Sequence, residues 1–135
     1  MWDYQHAAET TAAPEALWRH WSDIAAWPQW NDGIEKIEVD GPLAVGTTFR
    51  MTPPGDDPIE MRIVEVVAGE LFTDEMDAGD FVVRTVHRLD RLDGGLTRVT
   101  YRTEITGAFD PELGPAITAD FPDVVAALVR LGERG

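Results

Sequence analysis

The side chains best able to move a proton are a histidine and a tyrosine in neighbouring extended segments. His87 lies in the segment from Phe81 to Asp90, and Tyr101 lies in the next, from Leu96 to Thr106. Burial favours the neutral imidazole, which can accept and donate a proton, and a phenol can donate a hydrogen bond to a carbonyl oxygen. An acid–base pair is therefore one hypothesis. The alternative is a histidine and a tyrosine that only fill a core.

Several other reaction chemistries lack their key residues. Ser22 is the only serine, Lys36 is the only lysine, and the chain contains no cysteine. Ser22 is not in the glycine-flanked turn of a serine hydrolase, and its position favours a helix cap. Lys36 lies close to Glu35 and Glu38 in a half-polar segment, which argues against a Schiff base and a phosphate-binding loop.

Metal and cofactor sites are not expected either. The histidines lie far apart in the sequence, and no two have the spacing of zinc ligands on one helix: His6, His20 and His87. With no thiolate ligand available, convergence of distant residues would be the only route to a metal site. We therefore predict a protein with no metal ion and no cofactor.

The charge and hydropathy of the chain exclude several partners. Twenty-five acidic residues outweigh 11 basic residues and give a net charge of −14 at pH 7. Nucleic acids and anionic lipid surfaces would be repelled at long range. The longest apolar run, Val124 to Val129, is far shorter than the roughly 20 residues of a membrane span. The start of the chain has no signal segment, so we expect one cytoplasmic domain over residues 1–135.

Turns rich in glycine and proline divide most of the chain into short extended segments. Seven strands are predicted: Trp2 to Thr10, Ile34 to Asp40, Thr47 to Thr52, Ile59 to Val67, Glu70 to Met76, Phe81 to Asp90 and Leu96 to Thr106. The connections after Ile34 are too short for helical crossovers. The strands are therefore expected to pair as an antiparallel meander.

Helical patterns occur in two regions. After the first strand, Pro14 begins a short helix, and Ser22 is expected to cap a second helix that Pro28 ends. Near the C-terminus, Asp120 is a candidate N-cap for apolar residues at helical spacing: Phe121, Val124, Val125, Leu128 and Leu131. An earlier helical piece is expected over residues 113–119. The predicted fold class is α+β.

Strand parity places one face of each strand in the interior. In the segment from Phe81 to Asp90, Arg84 and Arg88 share a face that must lie outside, so the alternate side chains face inward. The inner wall is then apolar with few hydroxyl groups and one imidazole, which is typical of ligand pockets. Trp30 precedes the next strand and is expected at the mouth. The predicted ligand-binding residues are Trp30, Phe49, Met61, Val83, Thr85, His87, Val99, Tyr101 and Thr103.

The order of the elements and several local motifs resemble a known superfamily. The motifs are Ala13-Pro14-Glu15-Ala16-Leu17-Trp18, Trp21-Ser22-Asp23-Ile24, Trp27-Pro28-Gln29-Trp30, Asp40-Gly41-Pro42 with Gly46-Thr47, and Gly94-Gly95-Leu96-Thr97-Arg98-Val99. They resemble the START-like, or SRPBCC, superfamily with the Bet v 1-like helix-grip fold, and within it small bacterial proteins of polyketide cyclase/dehydrase type. The resemblance implies a curved, seven-stranded antiparallel sheet around a C-terminal helix, with an interior cavity for an apolar ligand. Members share shape more than catalytic residues, so no catalytic residue is carried over.

Two classes of function remain. The first is a carrier or binding protein for a small apolar molecule, such as an aromatic polyketide, a lipid to be transported or a similar metabolite. The second is an enzyme of cyclase, aromatase or dehydratase type that acts on a bound poly-carbonyl substrate. In the enzyme, His87 would be the acid and base and Tyr101 a donor to a carbonyl oxygen. Either class is compatible with a homodimer.

Overall fold

The computed structural model describes residues 1–134, and over that range it contains seven strands: β1 Trp2–Thr10, β2 Lys36–Val39, β3 Thr48–Thr52, β4 Ile59–Val67, β5 Leu71–Asp77, β6 Phe81–Arg91 and β7 Thr97–Gly107. They form one sheet in the order β1-β7-β6-β5-β4-β3-β2, and every neighbouring pair is antiparallel. The short connections after β2 predict this meander, and β1 extends it beside β7.

Three α-helices and a 3-10 helix complete the fold: α1 Pro14–Ser22, the 3-10 helix Ile24–Gln29, α2 Leu113–Thr118 and α3 Phe121–Glu133. A short 3-10 turn, Asp93–Gly95, connects β6 to β7. Pro14 and Pro122 lie in the first turns of α1 and α3, where a missing amide hydrogen costs no helical bond. No helix within residues 1–134 is long and apolar enough to cross a membrane.

The predicted capping role of Ser22 was wrong. Ser22 is the last residue of α1, so its backbone is helical and cannot take the extended conformation of a cap. Asp23 occupies the position before the 3-10 helix, and its side chain makes no capping hydrogen bond. Asp120 does precede α3 as predicted, but without a side-chain cap.

The curved sheet and α3 form a helix-grip fold. The helix packs against α1, β1 and β7. Gly132 permits the contact with α1, because a Cβ atom at this position would lie 2.6 Å from Leu17 Cδ2. Gly114 does the same for α2, since a Cβ atom there would lie 2.5 Å from the Trp2 ring. Glycine therefore permits a close contact at both ends of the α2–α3 segment, with the sheet at Gly114 and with α1 at Gly132.

The strand register brings inward side chains of neighbouring strands level with each other. Two rows cross the inner face, one formed by Phe72, His87 and Tyr101 and the next by Asp74, Thr85 and Thr103. The alternate residues face outward, where Arg84 forms an ion pair with Glu75 at 2.8 Å. The predicted parity of β6 and β7 is confirmed.

Candidate ligand-binding site

One part of the inner face is covered by aromatic rings, and we call it the closed half: Trp21, Trp27, Phe72, His87 and Tyr101. Trp21 and Phe72 are fully buried, with ring centroids 5.3 Å apart and edge-to-face. Phe72 and His87 stack at 4.0 Å, and His87 meets Tyr101 edge-on at 4.6 Å. Such ring contacts stabilise a core beyond the burial of their area. The closed half is therefore a packed core.

His87 is held inside the closed half as a neutral ring. Its Nδ1 lies 3.2 Å from the carbonyl oxygen of Phe72. Because a carbonyl oxygen can only accept a hydrogen bond, Nδ1 carries the proton. Burial lowers the pKa of His87 to about 3, against a smaller opposing effect of this hydrogen bond. The imidazole is thus uncharged at neutral pH and encircled by rings.

Tyr101 is also fixed by its neighbours. The indole Nε1–H of Trp21 donates a hydrogen bond to the phenol oxygen of Tyr101 over 3.1 Å. Burial raises the pKa of Tyr101, the hydrogen bond from Trp21 lowers it by less, and the nearby acids Asp74 and Asp120 raise it further. The phenol therefore stays protonated, and its ring packs against Phe121 of α3 with the ring centroids 5.5 Å apart.

Beside the closed half lies a row of polar side chains that we call the polar strip: Asp74, Thr85 and Thr103. The hydroxyl groups of Thr85 and Thr103 are hydrogen-bonded at 2.8 Å, and both residues are buried. Asp74 is only 5% exposed. Burial raises its pKa to about 7, with its own backbone amide acting weakly in the opposite direction.

Asp74 was not among the residues predicted from the sequence to bind a ligand. The alternation seen in β6 and β7 applies equally to β5, where Phe72, Asp74 and Met76 lie on the inner face. An acidic residue between two inward apolar residues was the available signal.

The rest of the inner face is less covered, and we call it the open half: Ile37, Met51, Ile59 and Met76. These side chains share the inward parity of the buried core residues Phe49 and Met61, yet each stays partly exposed. The 3-10 helix packs against β2, which carries Ile37, and all four side chains pack against the buried core without being fully covered. Apolar surface facing inward without full cover is what a ligand could bury.

Trp30 lines a groove of about 490 Å³ between α3 and the segment that leads into β2. Asp120, Val124 and Ala127 form part of its wall. The Nε1 atom of Trp30 is buried and has no hydrogen-bond acceptor within residues 1–134. The same segment continues toward the open half, where the amide of Glu35 donates to the carbonyl of Thr52, next to Met51.

The predicted ligand-binding residues fall into distinct regions of this arrangement. The closed half and its surroundings contain His87, Val99 and Tyr101, and the polar strip contains Thr85 and Thr103. The border of the open half contains Phe49, Met61 and Val83, and the groove contains Trp30. The eight strand residues are all buried. Their contact with a ligand stays a prediction.

Comparison with known families gives one match over almost the whole chain. A family model described as polyketide cyclase / dehydrase and lipid transport matches residues 1–133. No curated protein matches the sequence. The matched residues contain all the strands and helices given above, so they include the entire inner face of the sheet.

Solved structures share the fold at low sequence identity. Norcoclaurine synthase from Thalictrum flavum, in complex with dopamine and hydroxybenzaldehyde, gives a TM-score of 0.78 at 20% identity, covering 98% of this chain and 87% of that chain. Ara h 8.0201 gives 0.74 at 14% identity over 99% of each chain. A hypothetical protein from Helicobacter pylori gives 0.77 at 15% identity, over 96% of this chain and 87% of that chain. These structures show a common helix-grip architecture.

Proposed function

Because this chain belongs to the polyketide cyclase/dehydrase and lipid transport family of the SRPBCC superfamily, we propose that it binds a small, neutral, mostly apolar molecule between the sheet and α3. The ligand class comprises aromatic polyketides, lipids and similar metabolites. The proposed role is that of a cytoplasmic carrier or binding protein, and the cysteine-free sequence favours a reducing compartment.

The observation that carries this proposal is the partial cover of the open half. Ile37, Met51, Ile59 and Met76 face inward with the core but remain partly exposed. Burying apolar surface contributes about 25 cal/mol for each Å² removed from water. An apolar molecule of one to a few rings would complete the core where protein side chains leave it uncovered.

The chemistry of the inner face sets the charge of the ligand. Across β2 to β7 the inward side chains are apolar or hydroxyl-bearing, apart from the neutral His87 and the carboxyl of Asp74. An anionic ligand would lose its hydration without gaining a cationic partner on this face. Neutral molecules are therefore favoured over anionic ones, and the net charge of −14 disfavours anionic molecules further.

The proposal is tested with a neutral fluorescent probe, N-phenyl-1-naphthylamine, and with native mass spectrometry of the purified protein. We expect saturable binding of the probe to the folded protein, with a dissociation constant on the order of micromolar. Met51→Glu places a charge in the open half and should weaken binding by at least about tenfold. Thr48→Glu introduces the same residue on the outer face of the same strand and is the matched control. A folded wild-type protein that binds no probe would overturn the proposal.

A second candidate is an enzyme of cyclase, aromatase or dehydratase type, and the polar strip is the observation that favours it. The inner face places one carboxyl group and two hydroxyl groups in an otherwise apolar surrounding, which suits the handling of a poly-carbonyl chain. The test compares His87→Ala and Tyr101→Phe for stability, probe binding and turnover of a poly-carbonyl substrate. Loss of turnover with binding and stability intact would support the enzyme, whereas loss of stability alone would leave both residues as core.

A further inference from the structure

Asp74 occupies the place on the inner face where the closed half meets the open half. On β5 it lies between Phe72, which is fully buried, and Met76, which is partly exposed. Its register partners are Ile63 on β4 and Thr85 on β6. The carboxyl group therefore lies on the inner face beside the open half, which Met76 continues on the same strand.

The carboxyl group has no partner that explains its burial. It is 95% removed from solvent, being 5% exposed, and it forms no ion pair with a lysine or arginine in residues 1–134. Its own backbone amide is the one hydrogen-bond partner seen there. Thr85 and Thr103 satisfy each other at 2.8 Å. A buried acid whose one partner is its own amide points to a ligand-binding role.

We infer that Asp74 is a recognition group that donates a hydrogen bond from its carboxyl O–H to a carbonyl or ether oxygen of the bound molecule. The inference rests on the proposed function and narrows its ligand class to neutral apolar molecules that carry such an acceptor, with aryl ketones as the simplest case. A plain hydrocarbon of the same size would bury the same apolar area but leave the carboxyl group unpaired.

The surroundings of Asp74 supply no competing charge of opposite sign. Ile63 on β4 and Thr85 on β6 do not titrate, and Tyr101 on β7 stays protonated. His87, two residues further along β6, is neutral. Asp120, which precedes α3 and also acts on Tyr101, is half-buried, and its pKa is raised by burial as well.

These surroundings make recognition dependent on pH. With its pKa near 7, Asp74 is protonated and donates below that value. It is an acceptor-only carboxylate above it. Affinity for a ketone should therefore fall as the pH rises through neutrality, because the ketone oxygen loses the hydrogen bond from the Asp74 O–H. Affinity for a hydrocarbon should fall less, because the hydrocarbon meets only the new buried charge.

The experiment uses two probes with the same number of non-hydrogen atoms, 2-acetylnaphthalene and 2-isopropylnaphthalene, each displacing N-phenyl-1-naphthylamine from the full chain. We expect the ketone to be preferred by about three- to tenfold at about pH 5.5 and the preference to vanish at about pH 8.5. Asp74→Ala should abolish the preference at both pH values. Asp74→Asn keeps an N–H donor and should retain the preference at both. Glu75→Gln, its outward-facing neighbour on β5, should behave as wild type.

The outcomes separate the inference from the proposed function. If both probes bind equally at every pH, or if Asp74→Ala keeps the preference, Asp74 is not a recognition group, although the carrier proposal stands. If neither probe binds the folded protein, the carrier proposal fails and the inference falls with it. If Asp74→Ala does not fold, Asp74→Asn still tests the inference. Its preference for the ketone should be the same at both pH values, and a preference that varies with pH as in wild type would overturn the role of Asp74.

Discussion

The closed and open halves of the inner face differ in cover although they belong to one sheet. In the closed half, α1 and the 3-10 helix place Trp21 and Trp27 against Phe72, and the rings fill the space. In the open half, Met51 and Ile59 face the same way and pack against the core, but both stay partly exposed. The closed half therefore stabilises the fold, and the open half is where we propose that a ligand binds.

The comparison also explains why polar groups lie where they do. His87 and Tyr101 lie among rings and have protein partners, the Phe72 carbonyl and the Trp21 indole. Asp74 lies at the border and has only its own amide. Buried polar groups of a core are normally satisfied by neighbouring residues, so Asp74, which bonds only its own amide, supports the proposal that a ligand binds on this side.

The largest expected effect comes from removing a ring of the closed half. Phe72→Ala should lower the free energy of unfolding by about 3–5 kcal/mol, because it deletes a fully buried ring that contacts several others. Met51→Ala, in the open half, should cost about 1 kcal/mol, since the side chain is already partly exposed. Urea denaturation measures both. Equal losses would mean that the two halves do not differ.

The next effect is the change of stability with pH, to which two buried groups, Asp74 and His87, contribute in opposite directions. Asp74 has a raised folded pKa, about 7 against 3.8, so its contribution to stability is present below about pH 4 and is lost as the pH rises to 7, by up to about 4 kcal/mol. His87 has a lowered folded pKa, about 3 against 6.5, so stability is lost as the pH falls from 6.5 toward 3. The two effects oppose each other between about pH 4 and 6.5.

Single variants separate these contributions. Relative to wild type, Asp74→Asn should gain stability on going from pH 4 to pH 8, because the wild type must ionise a buried acid over that range. His87→Gln should gain relative stability on going from pH 7 to pH 4. Urea denaturation at each pH gives the differences. A difference that is flat with pH in both variants would contradict the assigned burial of these groups.

Much of this fold could be predicted from the sequence, and the reason is periodicity. Turn residues separate the strands, and alternation in β6 and β7 identifies Thr85, His87 and Tyr101 as inward. Alternation does not predict which helices or side chains lie over an inward residue. Whether an inward residue meets a ring or stays partly exposed depends on where α1 and the 3-10 helix pack, which is a tertiary property. For this reason His87 is predicted as inward but not as stacked on Phe72.

A smaller effect is expected in the polar strip between the halves. Thr103→Val should cost about 1 kcal/mol, because it leaves the buried hydroxyl of Thr85 without its partner at 2.8 Å. The double variant Thr85→Val with Thr103→Val should recover most of that loss, since no hydroxyl is then left unpaired. A double-mutant cycle by thermal and urea denaturation measures the coupling. Simple additivity would show that the pair contributes nothing as a pair.

The smallest effect is expected from polyanions. With a net charge of −14, the protein should show no saturable binding to DNA, RNA or anionic vesicles at physiological salt. Titration by fluorescence anisotropy and vesicle sedimentation measure this, with a neutral phosphatidylcholine vesicle as the control. Saturable micromolar binding to any polyanion would show a local basic surface strong enough to overcome the overall charge.

The most direct test of ligand binding in the open half is to follow the methionine methyl groups and the tryptophan indoles by NMR while N-phenyl-1-naphthylamine is titrated in. Three of the four methionines, Met51, Met61 and Met76, lie in or beside the open half, and Met1 is an exposed internal control. Trp21 and Trp27 report on the closed half. If the probe binds in the open half, we expect saturable shifts of the three inner methyl signals, with the Met1, Trp21 and Trp27 signals unchanged. Shifts confined to the two indoles would contradict binding in the open half.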